Sequence, residues 1–194
     1  MGDAFTIRAP RPEDIQAVLD LQNAVDISEY GQADSVMSDL QSEWQRHRFN
    51  LETDAWVVED ATGRLAGYAV VHDDEPGREF MASFFVRPAA AAGSAPALLG
   101  PRLLARIESR AREIHAAVAP EAKATISCFC PSMSRLRQGC LEGARYKPAR
   151  SFIRMAIEMR KAPPTPPRVE GISIRPFRRH PAAQAVRALM NDAF

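Results

Sequence analysis

The chain has 194 residues, 46% of them hydrophobic and 25% charged, with a formal net charge of +1. That length allows one well-packed domain and a remainder, and the near-neutral balance argues against a dedicated nucleic-acid binder, which carries a strongly basic face. No apolar run approaches the roughly 20 residues that span a bilayer, and the opening MGDAFTIRAPRPED has no apolar signal core. Neither a membrane partner nor export is expected.

Two further features bear on compartment and surface. Cys128, Cys130 and Cys140 are an odd number in a chain too large to need staples, which suits a reducing cytoplasm. Charge is uneven: beyond residue 160 six Lys and Arg stand against Glu170 and Asp192, so the first 160 residues are net acidic. The tail arginines form no dense run of the kind a nucleic-acid arm shows.

FTIRA (5–9) predicts a short strand, and Pro12 opens a helix at its first turn, where a missing N–H costs nothing. Ile15, Val18, Leu19, Gln22 and Val25 follow helical spacing, and Gly31 is placed to stop the helix. Asp34 is placed to cap a second helix with Val36, Leu40 and Trp44 on one face. AWVVED (55–60), the turn at Gly63 and LAGYAVVHD (65–73) predict an antiparallel hairpin, and FMASFFV (80–86) a third strand.

A long helix follows, with Leu103, Leu104, Ile107 and Ile114 on its apolar side and an end before Pro120. Gly100-Pro101 conflicts with a helix interior, where proline costs about 3 kcal/mol and glycine about 1 kcal/mol. The helix must either start near Pro101 or kink there. ATISCFC (124–130) predicts a buried strand with Cys128 and Cys130 on one face. A CxC pair can ligate a metal, but no His lies nearby, and a buried structural pair is the reading adopted. His47, His72, His115 and His180 show no ligand spacing, so no metal site is expected. PSMSRLRQGCLEGA predicts a short helix, and RYKPARSFIRMAIEM (145–159) a last strand pair or one bent strand. The alternation of strands and helices predicts an α/β domain with a mixed, mostly antiparallel central sheet flanked by helices.

KAPPTPPRVEG (161–171) is a stiff, proline-rich linker that marks a boundary after a first domain at 1–160. Beyond it, ISIRPFRRHPAAQAVRALMNDAF repeats the opening FTIRAPRPEDIQAVLDLQNAV. Thr6-Ile7-Arg8 matches Ser173-Ile174-Arg175, and Gln16-Ala17-Val18, Leu21 and Asn23 match Gln184-Ala185-Val186, Leu189 and Asn191. Residues 172–194 therefore read as the first strand and helix of an incomplete second copy. Chance likeness between two amphipathic openings is the alternative.

The order of elements over 5–160, with TIRAPRPEDIQAVLDL, TDAWVVEDATGRLAGYAVV, FFVRP and CLEGARYKPARSFIRMAIEM as its most characteristic stretches, resembles the GCN5-related N-acetyltransferase family. The linker and second opening resemble its tandem members. The resemblance implies acetyl-CoA as the acyl donor. Its pantetheine arm would run along a bulged fourth strand at Phe84, Phe85 and Val86, and its pyrophosphate would lie in the next loop, at the start of the long helix. In that loop VRPAAAAGSAPALLG departs from the family pattern. The position for Arg or Gln is Ala91, and only with one residue deleted do Gly93, Ser94 and Ala95 supply the Gly-x-Ala part.

The resemblance also places a tyrosine general acid at Leu141, so that acid is absent; Cys140 is its neighbour and Tyr146 lies elsewhere in the register. The acceptor site falls in the loop after the first helix, where Asp26, Glu29 and Tyr30 would suit a cationic amine; a capped, solvated loop is the bland alternative. Two functions follow. One is acetyl transfer from acetyl-CoA to a small-molecule amine; the other is a non-catalytic, degenerate domain that packs on or positions a partner domain. The remaining expected partner is either a second copy of the chain or a C-terminal domain.

Overall fold

The computed structural model describes residues 5–88, 96–153, 155, 157–167, 169–173 and 183–193. It divides into two compact units, Met1–Ala149 and Arg150–Phe194. In the first, β1 (Phe5–Arg8) leads through a turn of 3-10 helix at Pro12–Asp14 into α1 (Ile15–Tyr30), then α2 (Met37–Trp44) and the single turn α3 (Leu51–Asp54). Strands β2 (Ala55–Asp60), β3 (Leu65–Glu75) and β4 (Glu79–Val86) follow, then α4 (Pro96–Val118), β5 (Thr125–Cys128) and α5 (Arg135–Gly143). The second unit contains α6 (Ala183–Ala193).

The sheet runs β1-β2-β3-β4-β5, antiparallel except for the parallel β4–β5 pair. This is the mixed, mostly antiparallel sheet the sequence predicts. One extra residue in β3 sets its two faces. Val58 pairs with Gly67 but Glu59 pairs with Leu65, so Ala66 is bulged out of the ladder. The alternation changes face there. Leu65, Tyr68 and Val70 join Val18, Leu21, Leu40 and Val57 beneath α1 and α2. Ala66, Ala69 and Val71 join Phe84, Val86, Leu99, Leu103, Leu104 and Ile107 beneath α4. Helices on both faces leave the first eight residues of β3 buried, which explains its near-continuous apolar run.

Helix ends follow local chemistry with two departures from expectation. Gly31 stops α1 in the left-handed region at φ 78°, and its N–H donates to the Ile27 carbonyl. The expected cap at Asp34 does not form: α2 starts after Val36, and no side chain caps it. The long helix does not wait for Pro101 but runs from Pro96 through it to Val118. Each fully buried Leu contributes about 1.5–3 kcal/mol, and Leu99, Leu103, Leu104 and Ile107 are all buried, which outweighs the proline's cost of about 3 kcal/mol. Gly100 has a packing role, since a Cβ there would stand 2.5 Å from Cys140 Sγ on α5.

Two readings near the C-terminal side are corrected. The strand over 124–130 shortens to Thr125–Cys128 and is only half-buried, because it lies at the end of the sheet. The strand or strand pair expected over 145–159 is absent among the described residues, and Phe152, Ile153, Met155, Ile157 and Met159 are exposed. The pattern was strand-like, but local alternation forms no strand without a neighbour to bond to. The repeated opening forms its helix, α6, while most of its strand and the residues preceding the helix lie outside the described residues.

Arg8 ties the start of the fold together, donating to both carboxylate oxygens of Asp14 at 2.6 and 2.9 Å and to Glu59 across β1–β2. The Arg8 guanidinium holds the Asp14 carboxyl below its ordinary value of 3.8. A depressed native value means the stabilisation is complete above 3.8 and is lost as pH falls through the lower native value. Asp14→Asn should therefore cost about 0.2–1 kcal/mol at neutral pH, the scale of a partly exposed ion pair. In urea unfolding across pH the difference from wild type should vanish in strong acid, and a cost that is constant with pH would contradict the assignment.

Candidate active site

The sheet opens where β5 stops. β4 and β5 pair from Glu79–Thr125 to Ala82–Cys128 and no further, so Ser83–Val86 keep only β3 as a partner among the described residues. This leaves about 13 Å of strand edge facing a cleft. Strand alternation decides which groups face it. The Ala82 carbonyl points toward β5 and accepts from Cys128 Sγ at 3.1 Å, while the Arg87 N–H points toward β3 and donates to the Ala66 carbonyl at 2.9 Å. Phe84 and Val86 share the parity of Ala82, so their N–H and C=O groups face the cleft. Phe85 bonds toward β3 instead. The bulge expected in β4 is absent here, as its register with β3 is unbroken from Phe80 to Val86; the opening comes from β5 ending.

Side chains divide on the same alternation. Phe84 and Val86 are buried beneath α4. Phe85 lies on the opposite face and stacks on Tyr68 with ring centroids 6.3 Å apart. Arg87 closes the strand: its Nε donates to the Leu65 carbonyl at 2.7 Å, and burial pushes its pKa down. Two bonds to β3 therefore fix the point at which the chain leaves the sheet. Gly93, Ser94 and Ala95 lie outside the described residues, and α4 begins directly after them at Pro96.

Helix α5 brings a residue that the sequence reading did not single out. Arg137 is nearly buried, sits 5.1 Å above the Phe85 ring, and reaches Glu29 on α1 at 3.3 and 3.4 Å. The signal was present in the spacing, because Arg137 is four residues before the buried Leu141 and shares its inward face. Of the other loop residues, Asp26 is committed: its Oδ2 accepts from Ser35 N, Ser35 Oγ and Asp34 N at 2.9, 2.7 and 3.3 Å. It holds the α1–α2 connection. Tyr30 is exposed at the end of α1, and partial burial and the Glu29 charge raise its pKa.

No activated thiol or phenol meets the cleft in the positions the sequence raised. Leu141 is buried. Burial raises the Cys140 thiol, and raises Cys128 to about 11, which is the opposite of nucleophile activation. Tyr146 packs against the core below α4, its pKa raised by burial and by Glu108. A second polar chain crosses the α2 face: Trp44 Nε1 donates to Tyr68 Oη at 3.0 Å, Tyr68 Oη donates to Glu43 Oε2 at 3.3 Å, and Glu43 Oε1 meets His72 Nε2 at 3.1 Å. Among the described residues no cluster of His, Cys, Asp and Glu is arranged to hold a metal, and no helix is long and apolar enough to cross a membrane.

No family model and no curated protein matches the sequence. Solved structures do. A GCN5-related N-acetyltransferase from Sphaerobacter thermophilus superposes over 100% of this chain with TM-score 0.79 and 25% identity. The chain has the fold of the GCN5-related N-acetyltransferases and is similar to them. It spans 59% of that longer relative. The fold is shared at 22% identity and TM-score 0.53 with a Salmonella typhimurium protein assigned to the acetyltransferases and solved with acetyl-CoA, over 73% of this chain and 79% of that one. It is shared at 15% identity and TM-score 0.54 with the acetyltransferase domain of a Streptomyces lividans protein (S. lividans PAT), over 76% and 84%. Here the cleft beyond the end of β5 has Arg137 and Glu29 on the Phe85 face of β4 and α4 on the other.

Removing one partner of a nearly buried ion pair leaves the other charge uncompensated, at a cost of about 3–5 kcal/mol. Arg137→Met should destabilise the protein on that scale, and Arg137→Met with Glu29→Gln should recover most of the loss in chemical denaturation. A double variant no more stable than the single one would show that Arg137 acts mainly through its contact with Phe85.

Proposed function

We propose that the chain transfers an acetyl group from acetyl-CoA to the amine of a small molecule, in the reducing interior of a cell that its unpaired cysteines suit. The observation that carries the reading is the cleft-facing backbone of Phe84 and Val86. An extended arm with amide groups can add to such an edge as a further strand. Phe85 between them fixes the register, and a Val86 N–H at the cleft is placed to hydrogen-bond a thioester carbonyl and the charge that develops on it. Gly93, Ser94 and Ala95 would supply N–H donors for the pyrophosphate, and the N-terminus of α4 a positive dipole end. Tyr30 and the outer edge of Glu29, whose carboxylate is already paired with Arg137, would meet a cationic amine, with Asp26 holding their loop. The ammonium first loses a proton to water; its nitrogen then forms the bond to the thioester carbon, the C–S bond breaks, and the second nitrogen proton passes to the departing sulfur so that CoA leaves as a thiol.

A second reading has its own support. Leu141 occupies the position where the resemblance places a general acid, and Ala91 that of Arg or Gln. On this reading the domain binds acetyl-CoA weakly or not at all and serves to position a partner domain.

Calorimetry and thermal shift with acetyl-CoA separate the two. A ligand at 100 times its Kd stabilises the native state by about 2.7 kcal/mol, a shift of several degrees. Val86→Pro removes one cleft-facing donor while leaving the β3 ladder intact, and should weaken acetyl-CoA about 5- to 30-fold, the value of one or two kcal/mol. No thermal response at millimolar acetyl-CoA would refute the acetyltransferase reading and leave the second.

A further inference from the structure

A cavity of about 320 Å³ lies between the N-terminal half of α1 and the β2–β3 turn. It shares none of its described lining residues with the cleft beyond β5. Its volume falls at the lower end of small-ligand sites. Ala17, Asp20 and Ala24 recur at helical spacing on one side of α1, and the two alanines are too short to fill the space opposite them. Leu65 at the start of β3 and Arg87 at the end of β4 line it from the sheet.

The charges around this cavity are unevenly matched. Arg87 is 6% exposed, and its Nε donates to a neutral acceptor, the Leu65 carbonyl. Burial pushes its pKa down, and the nearby Arg64 guanidinium adds to the shift. Asp60 and Asp20 act on it only through space, and Asp60 is turned to the N–H and hydroxyl of Thr62. A buried cation without a bonded counter-ion is costly. The α1 side is acidic. Asp14 and Glu59 are already bonded to Arg8, whereas the partner of Asp20 among the described residues is the neutral Gln16 amide, at 2.8 Å.

We propose that this cavity binds a small zwitterion of the α-amino acid class, its carboxylate held by Arg64 and Arg87 and its ammonium by Asp20. A guanidinium fork suits a carboxylate, which can accept from two of its nitrogens at once. A simple anion would satisfy the arginines but stand against Asp14, Asp20 and Glu59, and a simple cation would meet two arginines. A ligand with both charges close together avoids each repulsion. The inference uses no residue of the cleft and is independent of the acetyltransferase reading.

Backbone-amide NMR of the full chain, titrated without acetyl-CoA, tests it with L-alanine, acetate and methylammonium. L-Alanine should give saturable shifts centred on the amides of Asp20, Arg64, Leu65 and Arg87. Acetate and methylammonium should each bind roughly tenfold more weakly or worse, the value of one lost charged contact. Arg64→Gln and Asp20→Asn change exposed side chains, and each should weaken L-alanine about tenfold. The near-ultraviolet signal of Trp44 and Trp56 should stay unchanged in both variants, which separates lost binding from lost fold. Absence of a saturable L-alanine shift at these amides would overturn the proposal. So would acetate binding as tightly as L-alanine, which would make the cavity a plain anion site. An L-alanine affinity that either variant leaves unchanged would overturn it as well.

Discussion

The position at which β5 leaves β4 governs this molecule. A parallel neighbour satisfies one side of β4 only as far as Ala82, and the next four residues keep a side bonded to β3 and a side without a strand partner among the described residues. An unpaired backbone edge inside a sheet costs free energy unless water or a ligand completes it. Nearby structure holds that edge in place: the Arg87 bonds to Leu65 and Ala66 fix its end, Phe85 on Tyr68 fixes one face, and Phe84 and Val86 under α4 fix the other. Catalysis that depends on backbone donors needs this kind of rigidity, because the donors must stand where charge develops before the reaction begins.

The helices around the cleft follow from the same requirement. Gly100 lets α4 approach α5 closely enough for Cys140 to pack on it, and α5 then carries Arg137 across the opening to Glu29. That pair joins elements more than a hundred residues apart in sequence. It gives the α1 side of the cleft a fixed wall without an activated side chain. The activity proposed for the chain therefore depends on backbone geometry more than on any acid or base.

The elements that were legible in the sequence are those whose pattern and partner lie close together. The β2–β3 hairpin, the Gly31 stop and the apolar face of α4 are local signals with local consequences. Of the two readings at Pro101, a helix start or a kink, the start is excluded because the helix runs through it from Pro96, and propensity is a small term beside the buried side chains on that helix. The segment at 150–159 was misread for the opposite reason. Its alternation is correct for a strand, but a strand is defined by its neighbour, and no neighbour is written into the local sequence. At the candidate site, Phe84, Phe85 and Val86 came from the family resemblance and not from any signal of their own, since backbone contacts leave no side-chain signature. Arg137 was missed because a cation on an inward helical face only becomes meaningful once Glu29 and Phe85 are seen beside it. Asp26 looked available in sequence, but its carboxylate is used up by Ser35 and Asp34.

The most direct test is residue-resolved amide exchange along β4, with and without acetyl-CoA. In the free protein Phe84 and Val86 should exchange quickly while Ser83 and Phe85, bonded to β3, exchange slowly. Addition of acetyl-CoA should slow Phe84 and Val86 selectively. If those two amides are already protected in the free protein, or remain fast at saturating acetyl-CoA, the open edge of β4 is not the seat of the cofactor.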